Sequence, residues 1–309
     1  MTSRFPTAEE FASFPPPNFV NPETKTSLIL GIEIPMSVLA TVFIACRFYS
    51  RTRIVSALGS DDWIMLAAAI MAVANNILVI VSTTPDIQTG YHLWDFHPEH
   101  FFGTMKAGQI GMSMQLIFIV TCSLMKTSVL ITYLRIFPSK LNKWFCYTLL
   151  AYTIAWMFTG FFIVLFQCSP PETYWMIFKY FHRAKCLNTK AIYYIQGANS
   201  TLTDFLIFLW PAKNLMEVKI SLRQRITLIA MFSFGLIVCV AASARVYYTW
   251  AYLNNYDIFW YAANAYVVMS IEAGVGIACG CLPGCKPLMS QLFPCIFGTT
   301  TANSANSGP

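Results

Sequence analysis

The sequence predicts an all-α membrane protein: a seven-transmembrane helix bundle with its amino terminus on the outer or lumenal side and its carboxy terminus in the cytosol. Only 11% of the 309 residues are charged, 56% are hydrophobic, and the mean hydropathy is +0.55. Because a soluble globular domain is about one-quarter charged, this composition excludes an ordinary cytosolic enzyme, a disordered protein and a DNA-binding domain. The other two observations are seven long apolar stretches and the distribution of lysine and arginine between them.

Each apolar stretch has the roughly 20 residues that a helix needs to cross a bilayer. In chain order the stretches run from Leu28 to Cys46, Trp63 to Ser82, Gln109 to Leu134, Trp144 to Gln167, Ala191 to Ala212, Ile226 to Trp250 and Ala262 to Leu282. The first is interrupted by Glu33 and Pro35. Tryptophans, which favour membrane interfaces, stand near the ends of the second, fourth, fifth, sixth and seventh stretches: Trp63, Trp144, Trp210, Trp250 and Trp260.

The chain divides into a membrane domain and two tails. Residues 1–27 are polar, contain five prolines and are expected to form a flexible tail. Residues 28–295 form the membrane domain, and residues 296–309 are expected to be a short disordered tail. Basic residues are more frequent in the connections that follow odd-numbered spans, which places those connections in the cytosol. They include Arg47, Arg51, Arg53, Arg135, Lys140, Lys143, Lys213, Lys219, Arg223 and Arg225.

Several short motifs occur in order along the predicted spans. They are Asp61-Asp62-Trp63, Gly90-Tyr91-His92, Tyr133-Leu134-Arg135-Ile136-Phe137, Cys168-Ser169-Pro170-Pro171 and Cys281-Leu282-Pro283-Gly284-Cys285-Lys286-Pro287. Together, over about residues 25–295, they resemble the fungal rhodopsin-like seven-helix integral membrane protein family, of the satratoxin-cluster membrane protein type and related to fungal surface-sensing receptors.

The resemblance implies a multi-pass protein of the plasma membrane or an endomembrane, and two functions. The first is a role in fungal secondary-metabolite biosynthesis, in which the protein binds a lipophilic small molecule or converts it by cyclisation or isomerisation. The alternative is a sensor, similar to G-protein-coupled receptors, of an external small molecule or surface cue. Expected partners are the lipid bilayer, the small molecule, and pathway enzymes or a G protein, but not nucleic acid. Whether the protein is an enzyme stays open.

Three charged residues fall inside predicted spans at one depth. Lys126, Asp204 and Glu272 each lie eight to ten residues from the cytosolic end of a span, which is roughly 12–15 Å at 1.5 Å per residue. Because a charge at this depth is costly, we expect the three to form an intramembrane polar network. The network either fixes helix packing or serves a proton or a cation.

A second polar layer is expected nearer the outer face. Glu33 and Arg245 lie at this depth, among asparagine, glutamine and tyrosine residues. The layer indicates either a cavity for a small amphipathic molecule or interhelical hydrogen bonding beneath an aromatic belt. Histidines of the first outer loop stand close by, and histidine titrates near neutral pH. The candidate catalytic groups are His92, Asp95, His97, Glu33 and Arg245, although the loop residues also fit packing or, less well, metal binding.

Cys168 and Cys186 are the only cysteines expected on the outer side. Because that side is oxidising in the secretory pathway, we expect them to form a disulfide. No cofactor or metal site is predicted. Retinal binding needs an accessible lysine amine for a Schiff base, and the predicted seventh span contains no lysine.

Overall fold

The computed structural model describes residues 6–97, 105–136, 139–176, 185–216 and 222–292. Seven long helices of 23 to 35 residues dominate it. The helices are α1 Ala8–Ala12, α2 Thr26–Tyr49, α3 Ser60–Ser82, α4 Lys106–Ile136, α5 Lys140–Leu165, α6 Thr189–Met216, α7 Leu222–Asn254 and α8 Ile258–Leu292. A π-helical turn, Ser50–Ile54, continues α2, and the short strands β1 Cys168–Ser169 and β2 Lys185–Cys186 pair antiparallel between α5 and α6.

The expectation of an all-α membrane protein is confirmed. Within the described residues, six segments are long and apolar enough to cross a membrane. They are Thr26–Ile54, Ser60–Ser82, Lys106–Ile136, Lys140–Leu165, Gly235–Asn254 and Ile258–Gln291. Helix α6 covers the fifth predicted stretch but is not among the six. Its central turns carry Gln196, Asn199, Ser200 and Asp204, which lower its hydropathy.

The predicted end of the seventh span differs from the structure because proline does not end the helix there. Helix α2 continues through Pro35, and α8 continues through Pro283 and Pro287 to Leu292, beyond the expected end at Leu282. Proline removes one backbone hydrogen bond, but neighbouring helices in a bundle can support the weakened turn. Prolines in a long apolar helix are therefore poor markers of its end.

Helix α8 lies at the centre of the bundle, in contact with α2, α3, α4 and α7. The main core contains Met65, Leu130 and Ile277, all fully buried. Helix α6 packs closely on α7 and has only sparse contact with α4 and α5. This uneven packing leaves space between α4, α5, α6 and α7.

We call the end of the bundle that carries the amino-terminal segment the N-terminal face. Here Lys25 N donates to Gly90 O, and Gly90 N donates to Phe259 O, each at 3.0 Å. The segment 6–25, expected to be a flexible tail, includes α1 and a bridge between Thr24 and Tyr91. The tail expected at 296–309 lies outside the described residues.

Candidate functional site

Lys126 of α4 is paired with Asp204 of α6. Its Nζ lies 3.2 Å from Asp204 Oδ1 and donates to Ser200 O at 2.9 Å, Ser200 Oγ at 3.0 Å and Thr203 Oγ1 at 2.8 Å. Both charged side chains are buried. The ammonium is therefore fully engaged in linking the two helices.

Glu272 pairs with Arg245 and not with Lys126. Arg245 Nε of α7 donates to Glu272 Oε2 of α8 at 2.6 Å, and the guanidinium carbon lies 5.3 Å from the centre of the Phe118 ring. The expectation from depth put Glu272 in a network with Lys126 and Asp204, and Arg245 in the outer layer with Glu33. In the structure the direct partner of Glu272 is Arg245. Depth along a helix does not specify the direction of a side chain, and α7 and α8 are extensively packed neighbours.

A cavity of about 60 Å³ lies between α4, α5, α6 and α7. Its wall includes two buried cations, Lys126 and Arg245. The remaining wall is mixed apolar and polar: Phe118, Ile119, Cys122, Ser123, Tyr152, Thr153, Trp156, Gly160, Gln196, Asn199, Ser200 and Thr203. We call this space the inner cavity.

A second cavity of about 50 Å³, which we call the upper cavity, adjoins the inner one. The two share Phe118, Ile119, Gln196 and Arg245, so Arg245 stands between them. The other lining residues are Gly111, Gln115, Tyr193, Thr249, Tyr252, Ala262, Ala265, Tyr266 and Met269.

Buried polar groups on these walls lack hydrogen-bond partners among the described residues. They are both ends of the Gln115 amide and Arg245 Nη2. Gln115 is 6% exposed and Arg245 is 8% exposed. Because native proteins pair almost all their buried polar groups, an unpaired amide and guanidinium nitrogen at one cavity mark a place where a ligand or water completes the bonding.

Glu33 belongs to a separate cluster between α2, α3 and α8. It is fully buried. In the orientation of the Asn76 amide that satisfies both its oxygen and its nitrogen, the amide nitrogen lies 3.3 Å from Glu33 Oε2 and 3.3 Å from Ser270 Oγ. Within the described part of the chain, Glu33 does not line either cavity. The structure therefore places it apart from Arg245.

His92 lies at the N-terminal face, in contact with an aspartate that the sequence analysis did not single out. Its Nδ1 is 2.6 Å from Asp257 Oδ2, and Asp257 Oδ1 accepts from Leu93 N at 3.0 Å. The His92 ring is stacked between Trp94 at 4.3 Å and Trp260 at 3.7 Å. Burial raises the pKa of Asp257 above its ordinary value, while the hydrogen bond and charge of His92 oppose that rise. The signal available in the sequence was a lone acid in the short turn between two apolar stretches.

Asp95 and His97 also hold the N-terminal segment. Asn18 N donates to Asp95 Oδ1 at 2.8 Å, and the His97 ring stacks on Phe19 at 4.8 Å. As far as the described residues show, neither side chain lines the cavities, and nor does His92. His100, Glu99 and His182 lie outside the described residues.

Lys25 is a further member of the contacts at this face. Its Nζ donates to Asn264 Oδ1 at 3.0 Å and to Trp260 O at 3.3 Å, and it lies 4.1 Å from the centre of a Trp260 ring. Burial lowers the pKa of Lys25 from its ordinary value, against the raising effect of Asp257 and Glu23. The segment 6–25 is thus attached to the bundle by charged and aromatic contacts.

A buried ion-pair network at the opposite face was not foreseen. Arg47 is fully buried; its Nε donates to Asp62 Oδ1 at 2.7 Å and its Nη2 to Asp61 Oδ2 at 2.6 Å. Arg47 Nη1 also donates to Gly280 O at 2.7 Å, so the network joins α2, α3 and α8. Sequence reasoning used Arg47 only as a topology signal.

Cys168 and Cys186 form a disulfide across β1 and β2, as expected. It closes the connection between α5 and α6.

The long apolar helices and the charges buried between them define a helical membrane protein. A family model described as the fungal rhodopsin domain matches residues 46–291, and the chain belongs to this family. The resemblance drawn from the motifs is therefore confirmed.

Relatives of the chain carry two kinds of name. One is "Polyenoic acids biosynthesis gene cluster protein Ba17b" of Metarhizium anisopliae, 22% identical over 91% of this chain and 78% of that protein. "Receptor GIN3" of Arthrobotrys oligospora is also 22% identical, over 91% of this chain and 67% of that protein. A "SAT4 family membrane protein" of Emericella nidulans is 25% identical over 56% of this chain and 42% of its own length.

Proposed function

We propose that this protein acts in fungal secondary metabolism by binding, in the inner and upper cavities, a lipophilic small molecule that it holds for cyclisation or isomerisation. The observation that carries the proposal is the pair of adjoining cavities with Arg245 between them. The relative named for a polyenoic acid gene cluster, matched along most of both chains, supports the metabolic setting.

The proposal places all seven long helices across the membrane, with the N-terminal face outside or in the lumen. Helix α6 is polar at its centre, but Lys126 pairs with its Asp204 and lowers the cost of burying that acid. The disulfide at Cys168 and Cys186 is near the N-terminal face, which suits an oxidising compartment. The membrane is proposed to be the plasma membrane or an endomembrane.

Among the five candidate catalytic groups, Arg245 has the best position for chemistry. It lines both cavities, and its unpaired Nη2 can donate to an oxygen atom of the bound molecule. A cavity that holds a flexible chain folded can bring its reacting atoms together. His92, Asp95 and His97 are proposed instead to hold the N-terminal segment over the cavities.

The test is deletion of the gene in its native host, followed by mass spectrometry of small-molecule extracts. We expect one product to disappear and one precursor of similar carbon skeleton to accumulate. Membranes that contain the protein should then convert or specifically bind that precursor. An unchanged metabolite profile would contradict the proposal.

The second candidate is a receptor, favoured by the match to "Receptor GIN3" over 91% of this chain. In this case the same cavities would bind a signal, and the basic residues of the opposite face, including Arg51 and Arg135, would contact a G protein. Loss of a response to an external cue in the deletion strain, with every metabolite retained, would favour this candidate. Co-purification with a Gα subunit would support it independently.

A further inference from the structure

The upper cavity combines an aromatic wall with two unsatisfied hydrogen-bonding groups. Tyr193, Tyr252, Tyr266 and Phe118 supply ring surface, and Gln115 and Arg245 supply the polar atoms. No partner for either end of the Gln115 amide, or for Arg245 Nη2, occurs in the described part of the chain. Both side chains are more than nine-tenths buried. The chemistry of the wall therefore suits a molecule with an apolar body and an oxygen-containing group.

The charges around the cavities are already balanced. Lys126 lies against Asp204 at 3.2 Å, and Arg245 lies against Glu272 at 2.6 Å, so two formal positive charges face two formal negative charges. An added carboxylate would bring a negative charge without a partner into a buried site, which is costly. A neutral oxygen can accept from Arg245 and Gln115 without disturbing the two ion pairs.

We propose that the upper cavity selects a neutral carbonyl- or hydroxyl-bearing lipophilic molecule over the corresponding free carboxylic acid. Arg245 Nη2 donates to its oxygen, and the Gln115 amide, which has both a donor and an acceptor end, fixes its orientation. The inference rests on the proposed function, because it names the class of molecule that the same site binds.

The test compares three probes that share one conjugated tetraene chain: parinaric acid, its methyl ester and its primary amide. The full-length protein is placed in lipid nanodiscs, and binding is followed by quenching of tryptophan fluorescence at a pH that ionises the acid. Empty nanodiscs correct for partition into lipid. We expect the amide and the ester to bind about tenfold more tightly than the acid. The carboxylate of the acid would be buried without a partner, and one unpaired buried polar group has an effect of this order.

Three variants locate the binding. Gln115→Met keeps the size of the side chain but removes the amide, and Arg245→Lys keeps the charge beside Glu272 but removes the planar fork. Each should weaken amide binding about tenfold. Gln167→Met is the matched control, because the Gln167 amide is also buried and unpaired among the described residues but does not line the two cavities. It should leave binding unchanged.

The outcomes separate the two proposals. Tighter binding of the acid than of the amide, or equal binding by wild-type and Gln115→Met protein, would overturn the selection of neutral molecules while the proposed function stands. Failure of all three probes to bind wild-type protein would count against the cavities as a lipophilic site, and therefore against both proposals. Because Arg245→Lys alters a different helix, it keeps the test decisive if Gln115→Met does not fold.

Discussion

Two buried cations of the bundle differ in how completely they are paired. Lys126 Nζ has four oxygen neighbours within 3.2 Å, on Ser200, Thr203 and Asp204. Arg245 makes one short hydrogen bond to Glu272, and its Nη2 has no partner in the residues that the structure describes. A saturated ammonium stabilises helix packing, whereas an unsaturated guanidinium can bind a further group. We infer that Lys126 serves helix packing and that Arg245 is the cation available to a ligand.

The contact between His92 and Asp257 should stabilise the N-terminal face. Asp257→Asn removes the charge that faces His92 Nδ1 and should lower the free energy of unfolding by about 1–2 kcal/mol. The measurement is thermal unfolding in detergent. Asp86→Asn is the control, because the Asp86 side chain is 76% exposed and pairs with an exposed lysine, a contact of little value. An equal effect of the two substitutions would show that the buried contact does not stabilise the N-terminal face.

At the scale of helices, the weak packing of α6 on α4 and α5 creates the cavities. The Lys126–Asp204 pair is then a main link between α4 and α6. Helix α6 is thus attached on one side by close packing with α7 and on the other by polar contacts. A cavity wall held in this way can admit a ligand without disturbing the core around Met65 and Ile277.

A double-mutant cycle tests this link. Lys126→Met alone leaves Asp204 buried without its cation and should cost about 3–5 kcal/mol of unfolding free energy. Lys126→Met combined with Asp204→Asn removes both charges and should recover most of that loss. If the cost of the double variant equals the sum of the costs of Lys126→Met and Asp204→Asn alone, the two side chains are not coupled.

The disulfide between β1 and β2 should contribute to the stability of the protein. The two cysteines are 18 residues apart, and closing a loop of this length contributes about 3 kcal/mol in the chain-entropy model. Replacing both Cys168 and Cys186 by serine should lower stability by about that amount and remove the effect of a reducing agent on thermal unfolding. Cys46→Ser is the control, since Cys46 is a free cysteine. Equal sensitivity of wild-type and double-variant protein to the reductant would contradict the prediction.

Hydropathy and cysteine position were enough to predict the long helices and the disulfide, because both depend on local composition and compartment. Side-chain pairing was harder to predict. Counting residues from a span end gave the depth of Glu272 and Arg245 but not their mutual contact, which depends on how α7 and α8 are rotated. Asp257 and Arg47 were overlooked as partners because they lie at helix ends, where a charge carries no cost that the sequence makes visible.

On the scale of the whole molecule, the two ends of the bundle are chemically different. The N-terminal face carries stacked aromatic rings, the disulfide and the His92–Asp257 contact. The opposite face carries Arg47, Arg51 and Arg135 around Asp61 and Asp62. Basic residues are retained in the cytosol during insertion. This asymmetry supports the proposed orientation.

Glycosylation mapping tests the orientation and the seven-span count together. An Asn-X-Thr acceptor inserted between β1 and β2 should be glycosylated, and one inserted between α6 and α7 should not. The acceptor sequence at Asn199 lies inside α6 and should remain unmodified in both proteins. Glycosylation of the insertion between α6 and α7 would reverse the orientation, and glycosylation of both insertions would show that α6 does not cross the membrane.

We propose that the paired cavities bind the small molecule on which the protein acts. The most direct test measures, by mass spectrometry, the pathway product in a deletion strain complemented with wild-type, Gln115→Met or Gln167→Met protein at equal abundance. We expect wild-type and Gln167→Met protein to restore the product and Gln115→Met protein to restore much less. Full restoration by Gln115→Met would contradict it.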